Sequence, residues 1–123
     1  MTKSAAVFQW LSTFGLQVYA VDAVPNVVSY PYMTYDLSVA ALGNGDCPLI
    51  VNLYFRNVAG SEANAKAEEI AKDIGRGGKQ LLCDDGIIWL TRGTPFWQAI
   101  KNTDDEKIRQ RYININVEWL TQD

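Results

Sequence analysis

The sequence of 123 residues contains no histidine and only two cysteines, Cys47 and Cys83. Histidine is the commonest general acid or base near neutral pH, so its absence excludes Ser-His-Asp and Cys-His catalytic arrangements. The two cysteines are far apart in the sequence, which excludes a Cys-x-x-Cys metal or redox motif. We predict that both are free, small apolar side chains in the core, and that the chain has no catalytic, cofactor-binding or metal-binding residue.

Long apolar runs and basic runs are also missing. No stretch approaches the roughly 18 apolar residues that a membrane helix needs, and no leader-like segment opens the chain. Lys and Arg number 11 against 14 Asp and Glu, a net charge of −3, and they do not cluster. These features favour one domain over residues 1–123, kept in the cytoplasm without a membrane partner, and they disfavour a dedicated nucleic-acid binder.

Aromatic residues are more numerous than a small core requires, with four Trp and six Tyr. Trp and Tyr are enriched at protein interfaces, which predicts some of these rings near subunit contacts. Filling of the core is an equally good interpretation for any single ring.

Two segments show the 3.6-residue period of helices that bury one side. Apolar residues from Val7 to Phe14 predict a helix over 4–14 that ends at Gly15, its C′ residue. A second stripe, from Ala63 to Ile74, predicts a helix over 62–74 with Ser61 as its N-cap.

The remaining apolar segments show the two-residue period of strands or the turn residues of hairpins. We predict a short edge strand near 16–21 and a sheet containing residues 32–41, 47–56, 80–83, 87–90 and 111–120. Gly93 to Trp97 is predicted as an aromatic-rich loop. The last strand directs Ile113, Ile115 and Val117 to the core and leaves an amphiphilic face open. The fold class is α+β, a twisted, mostly antiparallel sheet with both helices packed on one face.

Two segments carry residue types that occur in catalytic or ligand sites. Arg76-Gly77-Gly78-Lys79 follows a helix and leads into a strand, the reverse of a phosphate-binding loop. Asp84 and Asp85 are adjacent carboxylates on a hairpin turn, and with Asp36 they are the candidates for a small divalent-metal enzyme. The hairpin turn itself favours a different interpretation, in which both carboxylates face water.

Five segments follow one another along the chain: Ile74-Gly75-Arg76-Gly77-Gly78, Asp85-Gly86-Ile87-Ile88-Trp89-Leu90, Gly93-Thr94-Pro95-Phe96, Arg111-Tyr112-Ile113-Asn114-Ile115 and Leu120-Thr121. In this order and spacing they resemble the tail terminator, or tail completion, family of tailed bacteriophages and phage-derived tail-like particles. The resemblance extends from about residue 32 to residue 121. Related terminators carry a long loop between the first two main strands, whereas this chain has only the short turn 43–46.

The resemblance implies a non-enzymatic structural protein of the virion tail or neck, assembled in the bacterial host cytoplasm. Copies of the chain would form a ring, expected to be a hexamer, that caps the tail tube, ends its polymerisation and joins it to the head side. The implied partners are a second copy of the chain, the tail tube protein, the head-side connector or neck protein and, in contractile particles, the sheath protein. DNA would only pass through the lumen.

A small set of residues is the candidate interface for these contacts, because clustered aromatics and a basic strand end suit repeated self-contact. They are Thr94, Pro95, Phe96, Trp97, Arg109, Arg111 and Tyr112. Two alternatives remain open besides the metal enzyme: another neck or head-tail joining ring component, and a module that stacks single-stranded nucleic acid on its aromatic rings.

Overall fold

A computed structural model describes residues 1–122. Two helices and six strands follow one another in the chain: α1 Lys3–Ser12, β1 Gln17–Ala20, β2 Tyr32–Leu37, β3 Asp46–Arg56, α2 Gly60–Ile74, β4 Lys79–Cys83, β5 Gly86–Lys101 and β6 Ile108–Thr121. The strands form one curled sheet in the order β1-β2-β3-β6-β5-β4. Every pairing is antiparallel except β1 with β2. This confirms the predicted α+β class and its mostly antiparallel sheet.

The strand β6 is the centre of the sheet. It pairs along its length with β3 on one side and with β5 on the other. Its odd-numbered residues from Arg111 to Thr121 are buried, while the even-numbered residues on the opposite face are half-buried up to Glu118 and exposed at Leu120. The period of two seen in the sequence therefore divides the sheet into an inner face and an outer face.

Both helices pack on the inner face, as predicted. They and the strands share one apolar cluster, which contains Val7, Trp10 and Leu11 of α1, Ala63, Ala67, Ile70 and Ile74 of α2, and Met33, Leu49, Val51, Leu53, Ile88, Leu90, Ile113, Ile115, Val117 and Trp119 of the sheet. The Trp10 indole donates a hydrogen bond of 2.7 Å to Asp73, which links the two helices.

The helix ends differ from the predicted ones. α1 ends at Ser12 with Thr13 as its C-cap, so Gly15 (φ +81°) follows the cap by two residues. α2 begins at Gly60 after Ala59, which makes no side-chain capping bond, so the prediction of Ser61 as N-cap is wrong. The first turn of α2 packs tightly on Arg111, since a Cβ at Gly60 would lie 2.9 Å from its guanidinium. This tertiary contact, not a cap, sets the start of the helix.

Two strand ends also differ. β2 stops at Leu37 and not at residue 41, and the carbonyl of Ser38 accepts a hydrogen bond of 3.0 Å from the Trp119 indole. β5 does not stop at residue 90 but continues to Lys101 through the predicted loop. Its pairing with β6 carries the strand past the breaker residues Gly93 and Pro95.

Replacing Ile70 with Ala is expected to lower the free energy of unfolding by about 2–5 kcal/mol, because the fully buried side chain would leave a cavity at the seam of helix and sheet. Denaturant titration measures the loss. Lys72→Ala on the exposed side of the same helix serves as the control and should change stability by less than about 0.5 kcal/mol. A loss below about 1 kcal/mol for Ile70→Ala would contradict the packing described.

Candidate interaction surfaces

The C-terminal part of β5, from residue 91 onwards, is a free edge of the sheet. β4 pairs with β5 only over residues 86–90. From Thr91 to Lys101, which we call the β5 edge, the strand is paired on its β6 side alone within residues 1–122. Unpaired strand edges recruit other chains, so this edge is a candidate contact surface.

A bulge interrupts the β5 edge. Arg92 pairs with Ile115 and Trp97 pairs with Ile113, so residues 93–96 of β5 lie opposite the single residue Asn114. Gly93 is buried, and a Cβ there would lie 2.6 Å from the Asn114 carbonyl oxygen. Only glycine fits this close approach of the two backbones. The predicted loop is thus a bulge within a continuous strand.

The structure separates the predicted interface residues into two groups. Thr94 and Pro95 are exposed at the bulge, whereas Phe96 and Trp97 are half-buried and pack against the core cluster. Tyr112 lies on the outer face of the sheet, opposite Gln98. In the predicted aromatic segment, Thr94 and Pro95 are therefore exposed, whereas the two aromatic rings are half-buried.

Arg111 has a role inside the fold. It is 7% exposed and lies on the inner face, where Nε donates a hydrogen bond of 2.7 Å to Asn64 of α2. Its guanidinium also stands 5.9 Å from the centre of the Trp97 ring. Burial, and then the charge of neighbouring Arg109, lowers the pKa of Arg111. Arg109 donates a bond of 2.9 Å to the Glu106 carbonyl. The structure thus joins Trp97 and Arg111, but Arg111 does not present its charge to the surface.

The outer face of the sheet has two apolar corners. At one corner Tyr32 stacks on Tyr54 with ring centres 4.8 Å apart, and Tyr19 and Tyr30 pack at the rim of this pair. At the opposite corner Leu82, Ile87 and Leu120 form one row across β4, β5 and β6. Leu82 is 69% exposed. Between the corners the face includes several hydroxyl and amide side chains, among them Asn52, which accepts a bond of 3.0 Å from Gln110.

Charge is distributed unevenly across the sheet. Residues 4–55, which include β1, β2 and most of β3, contain three Asp and no Lys, Arg or Glu. Residues 86–101, which form β5, contain Arg92 and Lys101 and no acidic residue. Because β1 and β5 lie on opposite sides of the β3-β6 pair, one part of the sheet is acidic and the other basic.

Two arginines outside the set of predicted interface residues lie beside the bulge. Arg76 and Arg92 line one cavity of about 370 Å³ together with Thr91, Gly93, Thr94 and Phe96. Neither guanidinium forms a hydrogen bond or an ion pair within residues 1–122. The sequence contains both segments, but only the β4-β5 hairpin, which follows α2, brings Arg76 next to Arg92.

The carboxylates of the β4-β5 turn do not both face water, so that prediction needs correction. Lys3 lies 2.8 Å from Asp85, which is 24% exposed, and the N-terminal ammonium pairs with Asp84. Hydrogen bonding to Lys3 is the main cause that lowers the pKa of Asp85. The two side chains hold the start of α1 against the turn. Among residues 1–122 no group of three or more His, Cys, Asp or Glu side chains is placed to hold a metal ion.

Both cysteines are free thiols, as predicted, although they are half-buried and not fully buried. Cys83 lines a groove of about 530 Å³ between α1 and β4. Burial raises the pKa of its thiol. No helix within residues 1–122 has both the length and the apolar character needed to span a membrane.

The chain was compared with protein-family models, with curated proteins and with solved structures, and none of them matches it.

Gly93→Ala is expected to destabilise the fold by at least about 1 kcal/mol, because the new methyl group would overlap the Asn114 carbonyl. Gly77→Ala is the matched control, since a Cβ at Gly77 meets nothing within 4 Å. Thermal unfolding of both variants measures the difference. Equal stability of the two would show that the bulge is not as tight as described.

A second prediction concerns Asp46 and Glu118, which face each other across β3 and β6. Like charges directly opposite in a sheet repel, so Glu118→Gln should raise the free energy of unfolding by about 0.2–1 kcal/mol at pH 7. Asp46→Asn should do the same, and the double variant should gain little more, because one repulsion is removed only once. Denaturant titration at low salt measures these changes. Loss of stability in both single variants would contradict the repulsion.

Proposed function

We propose that this chain is a structural ring protein of a phage tail or phage tail-like particle. Six copies would close into a ring on the end of the tail tube, stop the addition of tube subunits and offer the opposite surface to the head-side connector. The alternative is another ring component of the neck, which would join head and tail without controlling tube length.

One observation carries the proposal: two of the segments that resemble the terminator family border the same free strand edge. Gly93 to Phe96 form the bulge of the β5 edge, and Arg76 of the segment Ile74 to Gly78 lines the cavity beside it. Segments that are separate in the sequence thus share one surface. An open edge with a charged border is suited to repeated contact between copies or with a tube subunit.

The uneven charge of the sheet also supports ring formation. A ring needs a heterologous interface, in which one surface of a copy binds a different surface of the next. The acidic β1-β2-β3 side and the basic β5 side are two such different, complementary surfaces. Identical charge on both sides would instead oppose head-to-tail contact.

To cap the tube, the ring must compete with tube subunits for the binding site at the end of the tube. The ring must occupy the contacts that the next layer of tube subunits would use, and its far side must not repeat them. The open outer face, with an apolar row at one corner and tyrosines at the other, differs from the helix-covered inner side. A ring of such chains therefore has two unlike ends, as a cap requires.

Deletion of the coding sequence from the genome that encodes the parent particle tests the proposal. The expected result is tails of irregular and excessive length that fail to attach heads or, in a headless particle, lack a finished end. Electron microscopy of purified particles gives the length distribution. Expression of the wild-type chain in the same strain should restore normal lengths.

Two results would contradict the terminator function. Tails of normal length that do not attach heads would favour the alternative, a connector ring of the neck. Tails of normal length with normal attachment would exclude both functions.

A further inference from the structure

The cavity beside the bulge places two positive charges close together without a counter-charge. Arg76 lies in the turn after α2, and Arg92 lies on β5 where the bulge begins. The other lining residues are neutral, and no carboxylate lies within 4.0 Å of either guanidinium among residues 1–122. Such a pair of exposed guanidinium groups can donate hydrogen bonds to carboxylates and bind them.

A second cavity shows the opposite character. Asp22, just beyond β1, and Asp36 of β2 line a space of about 280 Å³ together with Ser4, Ala20, Val21, Tyr35 and Leu37. Neither carboxylate accepts a hydrogen bond or pairs with a cation within the described part of the chain. Burial raises the pKa of Tyr35, and the charge of Asp22 raises it further, so the negative charge of Asp22 acts on this cavity.

The two cavities lie near opposite ends of the strand order in the sheet. Four strand spacings separate β1 from β5 in the order β1-β2-β3-β6-β5, roughly 19 Å measured along the sheet at about 4.8 Å per spacing. Asp46 and Glu118, which face each other across β3 and β6, add to the acidic side. No ion pair joins these acidic residues to Arg76 or Arg92 within residues 1–122.

We propose that the Arg76-Arg92 cavity on the β5 edge of one copy receives the Asp22-Asp36 side of the next copy of this chain. The occupant is a second copy because the chain itself carries a matching pair of unpartnered carboxylates on the remote edge of its own sheet. The contact joins two different surfaces, so each copy retains one free surface of each kind and further copies can add until the assembly closes. This inference rests on the proposed ring and names the contact that builds it.

The charges in this contact lie at exposed sites, so salt should weaken the association. Exposed ion pairs are screened strongly as ionic strength rises. Reversal of one charge places like charges opposite each other and should raise the dissociation constant by at least about tenfold.

The test combines two charge reversals. Arg92→Glu places a carboxylate beside Arg76 and cancels the positive charge of the basic cavity, and Asp22→Lys places an ammonium beside Asp36 and cancels the negative charge of the acidic cavity. Each variant alone should therefore fail to assemble at the concentrations at which the wild-type chain assembles. An equimolar mixture should assemble again, because in an alternating ring every second contact joins two unchanged cavities and the remaining contacts pair the introduced carboxylate with the introduced ammonium. Sedimentation velocity over a range of protein concentrations gives the mass of each sample.

Controls keep the change of net charge equal. Lys107→Glu on the β5-β6 loop matches Arg92→Glu, and Glu68→Lys on the exposed side of α2 matches Asp22→Lys. Both controls should assemble like the wild-type chain. Arg76→Glu provides a second variant of the basic cavity if Arg92→Glu disturbs the bulge, and recovery of assembly in the mixture itself shows that both variants are folded.

Assembly of the mixture, together with no assembly of either variant by itself, supports the proposed contact. Assembly of either single variant at wild-type concentrations, or no recovery in the mixture, overturns it. A wild-type chain that stays monomeric at all concentrations also overturns it. These outcomes are distinct from failure of the proposed function, which would appear as normal tail length after deletion of the coding sequence.

Discussion

The rest of the structure depends on the pairing of β6 with β3 on one side and with β5 on the other. A shift of one residue in this register would move Ile113, Ile115, Val117 and Trp119 from the core to the outer face. The same register places Arg111 under the first turn of α2 and Asn114 under the bulge. The start of a helix, the shape of the free edge and the composition of the outer face therefore all follow from one set of strand pairs.

In the proposed ring, the bulge would lie at the contact between neighbouring copies. Bulges and prolines protect natural strand edges from indiscriminate pairing. Here Gly93 and Pro95 distort the β5 edge, while Arg92 and Arg76 stand beside it with unpartnered charges. An edge built in this way resists open-ended strand addition but favours a partner with carboxylates. That combination suits a closed ring better than a fibre.

Much of the fold could be predicted from the sequence because burial has a regular period. The stripes through Trp10 and Ile70, the alternation along β3 and β6 and the Asp-Gly hairpin each follow from local residues, and each appears in the structure. Ring formation, the tail partners and the tail location remain predictions, because a single chain does not test them.

The structure differs from the sequence-based predictions where contacts with residues distant in the sequence determine the local conformation. Gly93 and Pro95 normally indicate a loop, but pairing with β6 carries the strand through them. Ser61 is a good capping residue, but contact with Arg111 starts the helix earlier. Asp85 and Arg111 were expected at the surface, and each is bound by a residue far away in the sequence, Lys3 and Asn64. The site at Arg76 and Arg92 could not be found from either segment alone, because only the tertiary fold brings the two together.

A cryo-electron microscopy reconstruction of the tube end in the parent particle would show whether this chain forms the terminal ring. The expected result is a single ring of this chain on the last layer of tube subunits, with the β5 edge of each copy against the β1 side of its neighbour. A tube end formed by a different protein, with this chain absent from the tail and neck, would contradict it.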